Sequence, residues 1–401
     1  MVRGPAPHAV LLSGPAGVGK TTLALDLAAG LLCTAPDPTD RPCRACRGCR
    51  MVAHGGHPDL HRLGPEGAGG QIVIGGRDAK SRGVRDLAEE LAMMPMEGGA
   101  RVAVIAAAHR MNEDAQAALL KTLEEPPARV TIILCADDED RLLPTVRSRC
   151  ARLRLGGVDA RDVEAILLEH GIADRPLAAR LARISGGRPG VALAYARSQD
   201  AVRARGELAR GFLDWLDASP SARLAAVRAA TPTAVGLLDA LEASAATEAE
   251  ADVGSATDAG LAMIPGRSRA RAASRPASGP SRSATADGLA DAEPGQEDAA
   301  DDDPTTRAVP AARRRRAAEA LIEVWMEVSR DLALVAADGS RSIRDPELLE
   351  EFATAAAGLA PDAPADFLRR LARAAELVAG NVAPELVLDS LVLAWPRRRA
   401  A

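Results

Sequence analysis

The chain has 401 residues, of which 47% are hydrophobic and only 2% aromatic, and its formal net charge is −5. A chain of this length forms two or three domains with aliphatic cores, and its acidic balance excludes an autonomous, strongly basic nucleic-acid binder. No signal-peptide pattern is present and no apolar run reaches the roughly 20 residues that cross a bilayer. The sequence therefore predicts a cytoplasmic protein without membrane contact.

Apolar runs alternate with amphipathic stretches in the first part of the chain. An apolar run at 8–12 leads through a glycine-rich turn into a helix over 21–32. The same patterning predicts a helix over 84–93, a strand over 101–106, a helix over 112–125 and a strand over 130–134. Strands that alternate with helices predict an α/β domain, a parallel sheet with helices on both faces.

A phosphate-binding loop pattern joins the first strand to the first helix. It consists of Gly14, Pro15, Ala16, Gly17, Val18, Gly19, Lys20 and Thr21, which fit G-x-x-x-x-G-K-[ST], and Thr22 follows. The glycines let several backbone N–H groups point at one anion, Lys20 supplies charge for the β- and γ-phosphates, and Thr21 can ligate Mg²⁺. The context favours binding of ATP or ADP with Mg²⁺ over a glycine turn with a chance lysine.

The acidic residues that a hydrolysing P-loop protein places after a later strand are missing. Here that strand runs into Ala106 and Ala107, where carboxylates would hold Mg²⁺ and polarise water. Alternatively, Glu113 or Asp114 substitutes, although carboxylates in the first turn of a helix are favoured by the helix dipole alone. We expect nucleotide binding without efficient hydrolysis.

Four of the six cysteines lie close together in sequence. The cluster contains Cys33, Cys43, Cys46 and Cys49. Four thiolates suffice for one tetrahedral, closed and therefore structural zinc site, and two C-x-x-C steps let the ligands converge. The alternative is four free thiols. His54, His57 and His61 follow the cluster, and we expect them to be ordinary surface residues.

The rest of the chain is predicted to be helical with one interruption. We expect a P-loop domain over 1–156 with an inserted zinc module at 33–49, a small helical domain over 157–200, and a C-terminal helical domain built from 205–246 and 313–397. Residues 247–312 are rich in Ala, Ser, Asp, Pro and Arg. Such a segment buries too little apolar surface to offset its ordering entropy, so we expect a disordered insertion.

Four features together resemble the AAA+ clamp-loader subunits of bacterial DNA polymerase III. They are the P-loop, the cysteine cluster, the helix 117–127 (AALLKTLEEPP) and the segment 142–150 (LLPTVRSRC). The resemblance implies an AAA+ domain, a helical lid and an all-α collar. It also implies assembly with gamma/tau and delta subunits, through which the chain would reach the sliding clamp and primed DNA.

The resemblance also assigns two arginines. Arg149, in the Ser-Arg-Cys element, corresponds to a finger that reaches across a subunit interface to a neighbour's γ-phosphate, a role that suits a permanently charged guanidinium. Arg188 corresponds to a lid arginine that contacts the bound nucleotide, although glycine and proline around an arginine also describe a helix cap.

Two departures from the family's hydrolysing members bear on the type of subunit. The acids at Ala106 and Ala107 are absent, and no polar residue stands near Ala136 to sense a γ-phosphate. Both favour a delta-prime type, an accessory subunit of the polymerase III holoenzyme that is not an efficient ATPase alone and that binds ATP weakly or without efficient hydrolysis. A hydrolysing gamma/tau-type subunit and an AAA+ module of recombination or repair remain alternatives.

Overall fold

The computed structural model describes residues 7–65, 70–76, 81–97, 99–171, 174–254, 310–380 and 382–398, with the backbone alone for 242–254. A five-stranded sheet organises the first part of the chain. Its strands are β1 (Ala9–Ser13), β2 (Leu60–Leu63), β3 (Arg101–Ile105), β4 (Val130–Ala136) and β5 (Ala151–Arg154). Their order is β2-β3-β4-β1-β5, and every neighbouring pair is parallel.

Five helices cover both faces of this sheet. They are α1 (Lys20–Leu32), α2 (Arg47–Ala53), α3 (Val84–Ala92), α4 (Glu113–Glu124) and α5 (Pro144–Ser148). Residues of β1 alternate between two apolar cores, so that Leu11 packs with α3 and α4 while Leu12 packs with α1 and α2. The predicted fold class, a parallel sheet with helices on both faces followed by helical regions, is confirmed.

Two strands were not expected from the sequence. β2 and β5 are four residues long, lie at the two edges of the sheet and contain charged residues, and β5 is exposed along its whole length. Neither offers the continuous apolar run that marked β1, β3 and β4, because an edge strand is only partly covered.

In the part of the chain that the structure describes, nine further α-helices follow the sheet. The first three are α6 (Ala160–Glu169), α7 (Arg175–Ile184) and α8 (Pro189–Arg197); the other six are α9 (Gln199–Asp214), α10 (Pro220–Gly254), α11 (Ala311–Ala336), α12 (Leu349–Gly358), α13 (Ala363–Ala379) and α14 (Pro384–Leu393). α10 runs into the range 247–312 for which the sequence predicts disorder, and 255–309 lie outside the described residues. We call α6–α8 the lid and α9–α14 the collar.

The collar concentrates the few aromatic residues of the chain. The sequence holds three Trp, three Phe and one Tyr. Five of them, namely Phe212, Trp215, Trp325, Phe367 and Trp395, form one cluster with ring centroids 4.7–5.8 Å apart. The expectation of purely aliphatic cores is therefore wrong for the collar, where edge and tilted ring contacts add to area burial.

One collar segment is apolar and long. Pro220–Leu241 in α10 has a mean hydropathy of 1.3 over its most apolar window and is long enough to cross a membrane by length and composition. The expectation that no stretch of such length occurs is thus wrong. The segment contributes Val227, Ala234 and Leu237 to the collar core, and its Arg223 guanidinium donates to the carbonyls of Trp215 and Leu216 at 2.6 and 2.9 Å.

Candidate functional site

The phosphate-binding loop connects β1 to α1 as predicted from its motif. Three of its glycines adopt positive φ angles, 147° at Gly14, 77° at Gly17 and 100° at Gly19. The Gly14 N–H donates to the Ala136 carbonyl at 3.2 Å, which ties the loop to the end of β4. A Cβ atom on Gly14 would lie 2.2 Å from the Leu155 carbonyl oxygen, so this close approach requires glycine.

Lys20 is buried at the start of α1, and its ammonium group is surrounded by oxygen atoms. Nζ donates to the carbonyls of Gly14 and Pro15 at 2.7 and 2.6 Å. Its third partner is Oδ1 of Asp137 at 2.7 Å. The expectation that no polar residue stands near Ala136 is therefore wrong, because the next residue places a carboxylate on the P-loop lysine.

His109 lies on the other side of Asp137. Its Nδ1 accepts a hydrogen bond from the Asp137 N–H at 3.1 Å, and its Nε2 is 3.6 Å from Oδ2 of Asp137. Burial lowers the pKa of His109, with Asp137 acting in the opposite direction and Arg110 in the same one. Sequence reasoning missed both residues, because only the strand order brings the ends of β3 and β4 beside the loop.

The carboxyl end of β3 carries no acid. β3 ends at Ile105, and Ala106 and Ala107 follow it directly, Ala107 in the left-handed region at φ 51°. Glu113 and Asp114 instead lie exposed in the first turn of α4, whose N-cap Asn112 accepts from the Ala115 N–H at 2.9 Å. The position of Glu113 and Asp114 in the first turn of α4 is the one that helix dipoles favour.

The lid touches the P-loop through the start of α8. The Gly190 N–H donates to the Gly17 carbonyl at 2.9 Å, and a Cβ on Gly17 would lie 2.8 Å from a methyl group of Val191. Arg188 begins this helix, yet its guanidinium contacts carboxylates of α11, pairing with Glu323 and with Glu327 at 3.2 Å. Glu323 and Glu327 would therefore compete with a bound nucleotide for the Arg188 guanidinium.

Arg149 lies at the C-terminal cap of α5 on the surface of the sheet domain. Its guanidinium donates to the Thr145 carbonyl at 3.0 Å and pairs with Glu124 of α4 at 2.5 Å. The side chain is 34% exposed and that of Glu124 is 49% exposed. A pair this accessible to water is weak, so the guanidinium can exchange Glu124 for another anion at little cost.

The four clustered cysteines converge at the junction of α1 and α2. Their Sγ atoms all lie within 4.8 Å of one another, and those of Cys33 and Cys46 are 3.9 Å apart. Zn–S bonds of about 2.3 Å in a tetrahedron place the sulfurs roughly 3.8 Å apart. Cys33 caps the end of α1 and Cys46 caps the start of α2, so the helices themselves set the ligand positions.

Backbone N–H groups also point at these sulfurs. Those of Cys46 and Cys49 lie 3.3 and 3.4 Å from Sγ of Cys43 and Cys46, and the Cys49 contact is the largest cause that lowers the pKa of Cys46 to about 5. Burial, together with Cys46, raises the pKa of Cys49 to about 12. Four close thiolates repel one another without a cation, and this donor set fits a soft, tetrahedral dication such as Zn²⁺.

The histidines after the cluster differ from expectation. His57 is 4% exposed; its Nδ1 accepts from the Asp59 N–H at 3.1 Å, and its Nε2 lies 3.8 Å from Glu97. The prediction that it is an ordinary surface residue is therefore wrong. The four-cysteine set contains none of these histidines.

Comparisons with known proteins match the sheet domain to a described family. Residues 2–159 match the family described as DNA polymerase III, delta subunit. Subunit delta' of DNA polymerase III from Pseudomonas aeruginosa is 39% identical over 186 residues, 45% of this chain and 53% of that protein. Subunit tau from Salmonella typhimurium is 37% identical over 182 residues, 43% of this chain and 26% of that protein.

A DNA polymerase III gamma subunit-related protein from Thermotoga maritima aligns structurally over 98% of this chain and 95% of its own, with 14% identity and a TM-score of 0.36. The chain spans about half the length of the delta' relative and about a quarter of the tau relative. For the N-terminal part of the chain, the resemblance to DNA polymerase III subunits of the delta' type is confirmed.

Proposed function

Because residues 2–159 match the DNA polymerase III delta-subunit family, we propose that this chain is a delta-prime-type subunit of the bacterial clamp loader. It assembles in the cytoplasm with gamma/tau and delta subunits, and the complex places the sliding clamp on primed DNA. The collar α9–α14 supplies the main contacts with the other subunits, and the chain reaches clamp and DNA through the complex.

One observation carries this proposal. The chain keeps the Ser148-Arg149-Cys150 element at the C-terminal cap of α5, while alanines occupy both positions where a hydrolysing subunit needs acids. A subunit of this kind can stabilise the transition state at a neighbour's γ-phosphate without hydrolysing ATP itself, since a finger acts in trans. Arg149, paired with the half-exposed Glu124, is available for such an exchange.

The nucleotide and metal sites support the same role. Gly14 to Thr22 form a P-loop that would cradle the phosphates of ATP or ADP with Mg²⁺, and weak binding there would serve assembly rather than turnover. Cys33, Cys43, Cys46 and Cys49 would hold one structural zinc, which supplies a rigid joint between α1 and α2.

A hydrolysing gamma/tau-type subunit is the second candidate, because tau relatives match nearly as well as delta' relatives. The two functions differ in the ATPase activity of the isolated chain. We expect the purified protein to show no robust ATPase. An activity comparable to that of isolated gamma-type subunits and abolished by Lys20→Ala would favour the second candidate.

Reconstitution tests the proposal directly. The gamma-type and delta subunits of the same organism are mixed with or without this chain, and clamp loading on primed DNA is measured after size-exclusion chromatography. We expect a stable complex that contains the chain and loads clamps, and a sharp loss of loading without it. Equal loading with and without the chain, or failure to co-elute, would contradict the assignment and leave an AAA+ module that acts elsewhere.

A further inference from the structure

We propose that Asp137 is an internal competitor for the phosphate-binding lysine and sets the low nucleotide affinity of this chain. The inference deepens the proposed function, since it concerns the same P-loop. Asp137 would weaken the binding of a nucleoside triphosphate, whereas Lys20 and the loop backbone would provide it.

The hydrogen-bonding capacity of Lys20 is the first observation. A lysine ammonium group has three N–H donors and no acceptor. Three oxygens lie at hydrogen-bond distance from Nζ, two of them loop carbonyls and the third Oδ1 of Asp137 at 2.7 Å. A phosphate oxygen can therefore reach Nζ only by displacing one of these partners.

Asp137 is the partner that matters for affinity. The carbonyls of Gly14 and Pro15 are neutral, whereas the Asp137 carboxylate carries a full negative charge beside the place where phosphate charge would accumulate. It lowers the positive potential that Lys20 presents and repels the incoming anion. The Lys20 side chain is only 6% exposed, so water screens this interaction less than it would a surface pair.

The fold holds Asp137 in place through its backbone. It follows the last residue of β4, where Ser13 pairs with Ala136 in the sheet register and the Ala136 carbonyl accepts from Gly14. Its own N–H donates to Nδ1 of the buried His109. Although 41% of the Asp137 side chain is exposed, hydrogen bonds at the Ala136 carbonyl and at the Asp137 N–H hold its main chain in place.

If Asp137 assisted nucleotide binding, its substitution would change the affinity in the opposite direction. A carboxylate near a P-loop could bind Mg²⁺ and so assist nucleotide binding. Removal of the charge would then weaken Mg²⁺-dependent binding, whereas removal of a competitor strengthens binding. The sign of the change in affinity distinguishes the two.

The experiment is a fluorescence titration of the full chain with a fluorescent ATP analogue in the presence and absence of Mg²⁺. Asp137→Asn keeps the shape of the side chain and removes its charge, whereas Asp137→Glu retains the charge on a longer side chain. The matched control is Asp138→Asn, one residue further on, where the carboxylate accepts from the Asp140 N–H at 2.9 Å and an asparagine can do the same. Lys20→Ala reports the contribution of the P-loop, and thermal melting verifies that each variant is folded.

We expect Asp137→Asn to bind the ATP analogue about tenfold more tightly than the wild type. Asp138→Asn and Asp137→Glu should bind it like the wild type. Lys20→Ala combined with Asp137→Asn should abolish the gain in affinity. Unchanged or weaker binding by Asp137→Asn, while the wild type binds in a Lys20-dependent manner, would overturn the role of Asp137 and leave the nucleotide site intact. If no variant binds, both this inference and the nucleotide site of the proposed function are wrong.

Discussion

Gly14 stands where the phosphate-binding loop leaves β1 and passes the chain at Leu155. A Cβ at this position would lie 2.2 Å from the Leu155 carbonyl oxygen, a backbone atom that cannot rotate away. Gly14 also has a φ of 147°, which an L-residue rarely adopts. The residue type is thus required by sterics and by backbone conformation.

We predict that Gly14→Ala lowers the free energy of unfolding by about 2 kcal/mol or more. Gly56→Ala is the control, because a Cβ there meets no atom within 4 Å, and its effect should stay within about 0.5 kcal/mol. Chemical denaturation of both variants measures the difference. Equal effects of the two substitutions would show that the contact at Leu155 is not tight.

His109 makes a pH-dependent contribution to stability. Burial holds its pKa below the usual 6.5, so between that lowered value and 6.5 the unfolded state binds more protons than the folded state. The contribution is complete above about pH 6.5 and declines as the pH falls towards the folded-state pKa. An NMR titration of the imidazole should give a midpoint below 6.5, and His109→Gln should remove this part of the pH dependence. A midpoint at or above 6.5 would contradict the burial argument.

The sequence identifies residues whose role follows from a local pattern. Gly14, Lys20 and Thr21 are neighbours along the chain, so the P-loop motif suffices to predict their place. Asp137 and His109 belong to different connections. Asp137 contacts Lys20, and His109 contacts Asp137, only because β4 lies between β1 and β3. A sequence without its strand order cannot indicate such a contact.

Among the elements, α1 and α2 meet at the four clustered cysteines. Wild-type protein purified from zinc-replete medium should contain about one zinc per chain, and Cys43→Ser should lose most of it together with thermal stability. Cys150→Ser is the control, since Cys150 lies outside the cluster and should leave the zinc content unchanged. Elemental analysis and thermal melting measure both effects. Zinc absent from the wild type would refute the site.

The lid and collar meet at a buried ionic network centred on Glu327 of α11. Its carboxylate pairs with Arg205 at 2.9 Å, Arg344 at 3.1 Å and Arg188 at 3.2 Å, and its side chain is 7% exposed. Three guanidinium groups from three segments thus share this buried charge, although Arg205 also pairs with Asp345 at 2.9 Å and Arg188 with Glu323. Removal of that charge would take this carboxylate partner from Arg344 and leave the buried Arg205 with Asp345 as its remaining one.

We predict that Glu327→Gln lowers the free energy of unfolding by about 3–5 kcal/mol. Glu323→Gln, on the same helix and also paired with Arg188 but 53% exposed, should cost at most about 1 kcal/mol. Denaturant titrations of the two variants give the comparison. Similar losses would show that burial does not amplify the role of Glu327.

Element types are predictable where hydrophobic period and helix caps agree. α4 begins after Asn112 and ends near Pro126 as its signals indicate, and β3 matches its apolar run. β2 and β5 were missed because an edge strand does not need an apolar run. The role of Arg188 is ambiguous from sequence for another reason, since its partners Glu323 and Glu327 lie more than a hundred residues away.

At the scale of the whole molecule, the P-loop is connected to the collar through the lid. Gly17 contacts Gly190 at the start of α8, Arg188 joins that turn to Glu327, and Arg141 of the sheet domain donates to the Ala379 carbonyl of α13. Arg149 lies on the sheet domain at the cap of α5. Arg149 thus takes no part in these contacts between the sheet domain, the lid and the collar.

The most direct measurement is the DNA- and clamp-stimulated ATPase rate of the reconstituted clamp loader that contains this chain as wild type, Arg149→Ala or Arg147→Ala. Arg147 lies two residues earlier in the same segment and pairs with Asp140 of its own chain, which makes it the matched control. If Arg149 is a finger acting in trans, its loss should lower the rate by about 100-fold or more at unchanged assembly, while Arg147→Ala stays near wild type. A rate that does not respond to Arg149→Ala would contradict the account.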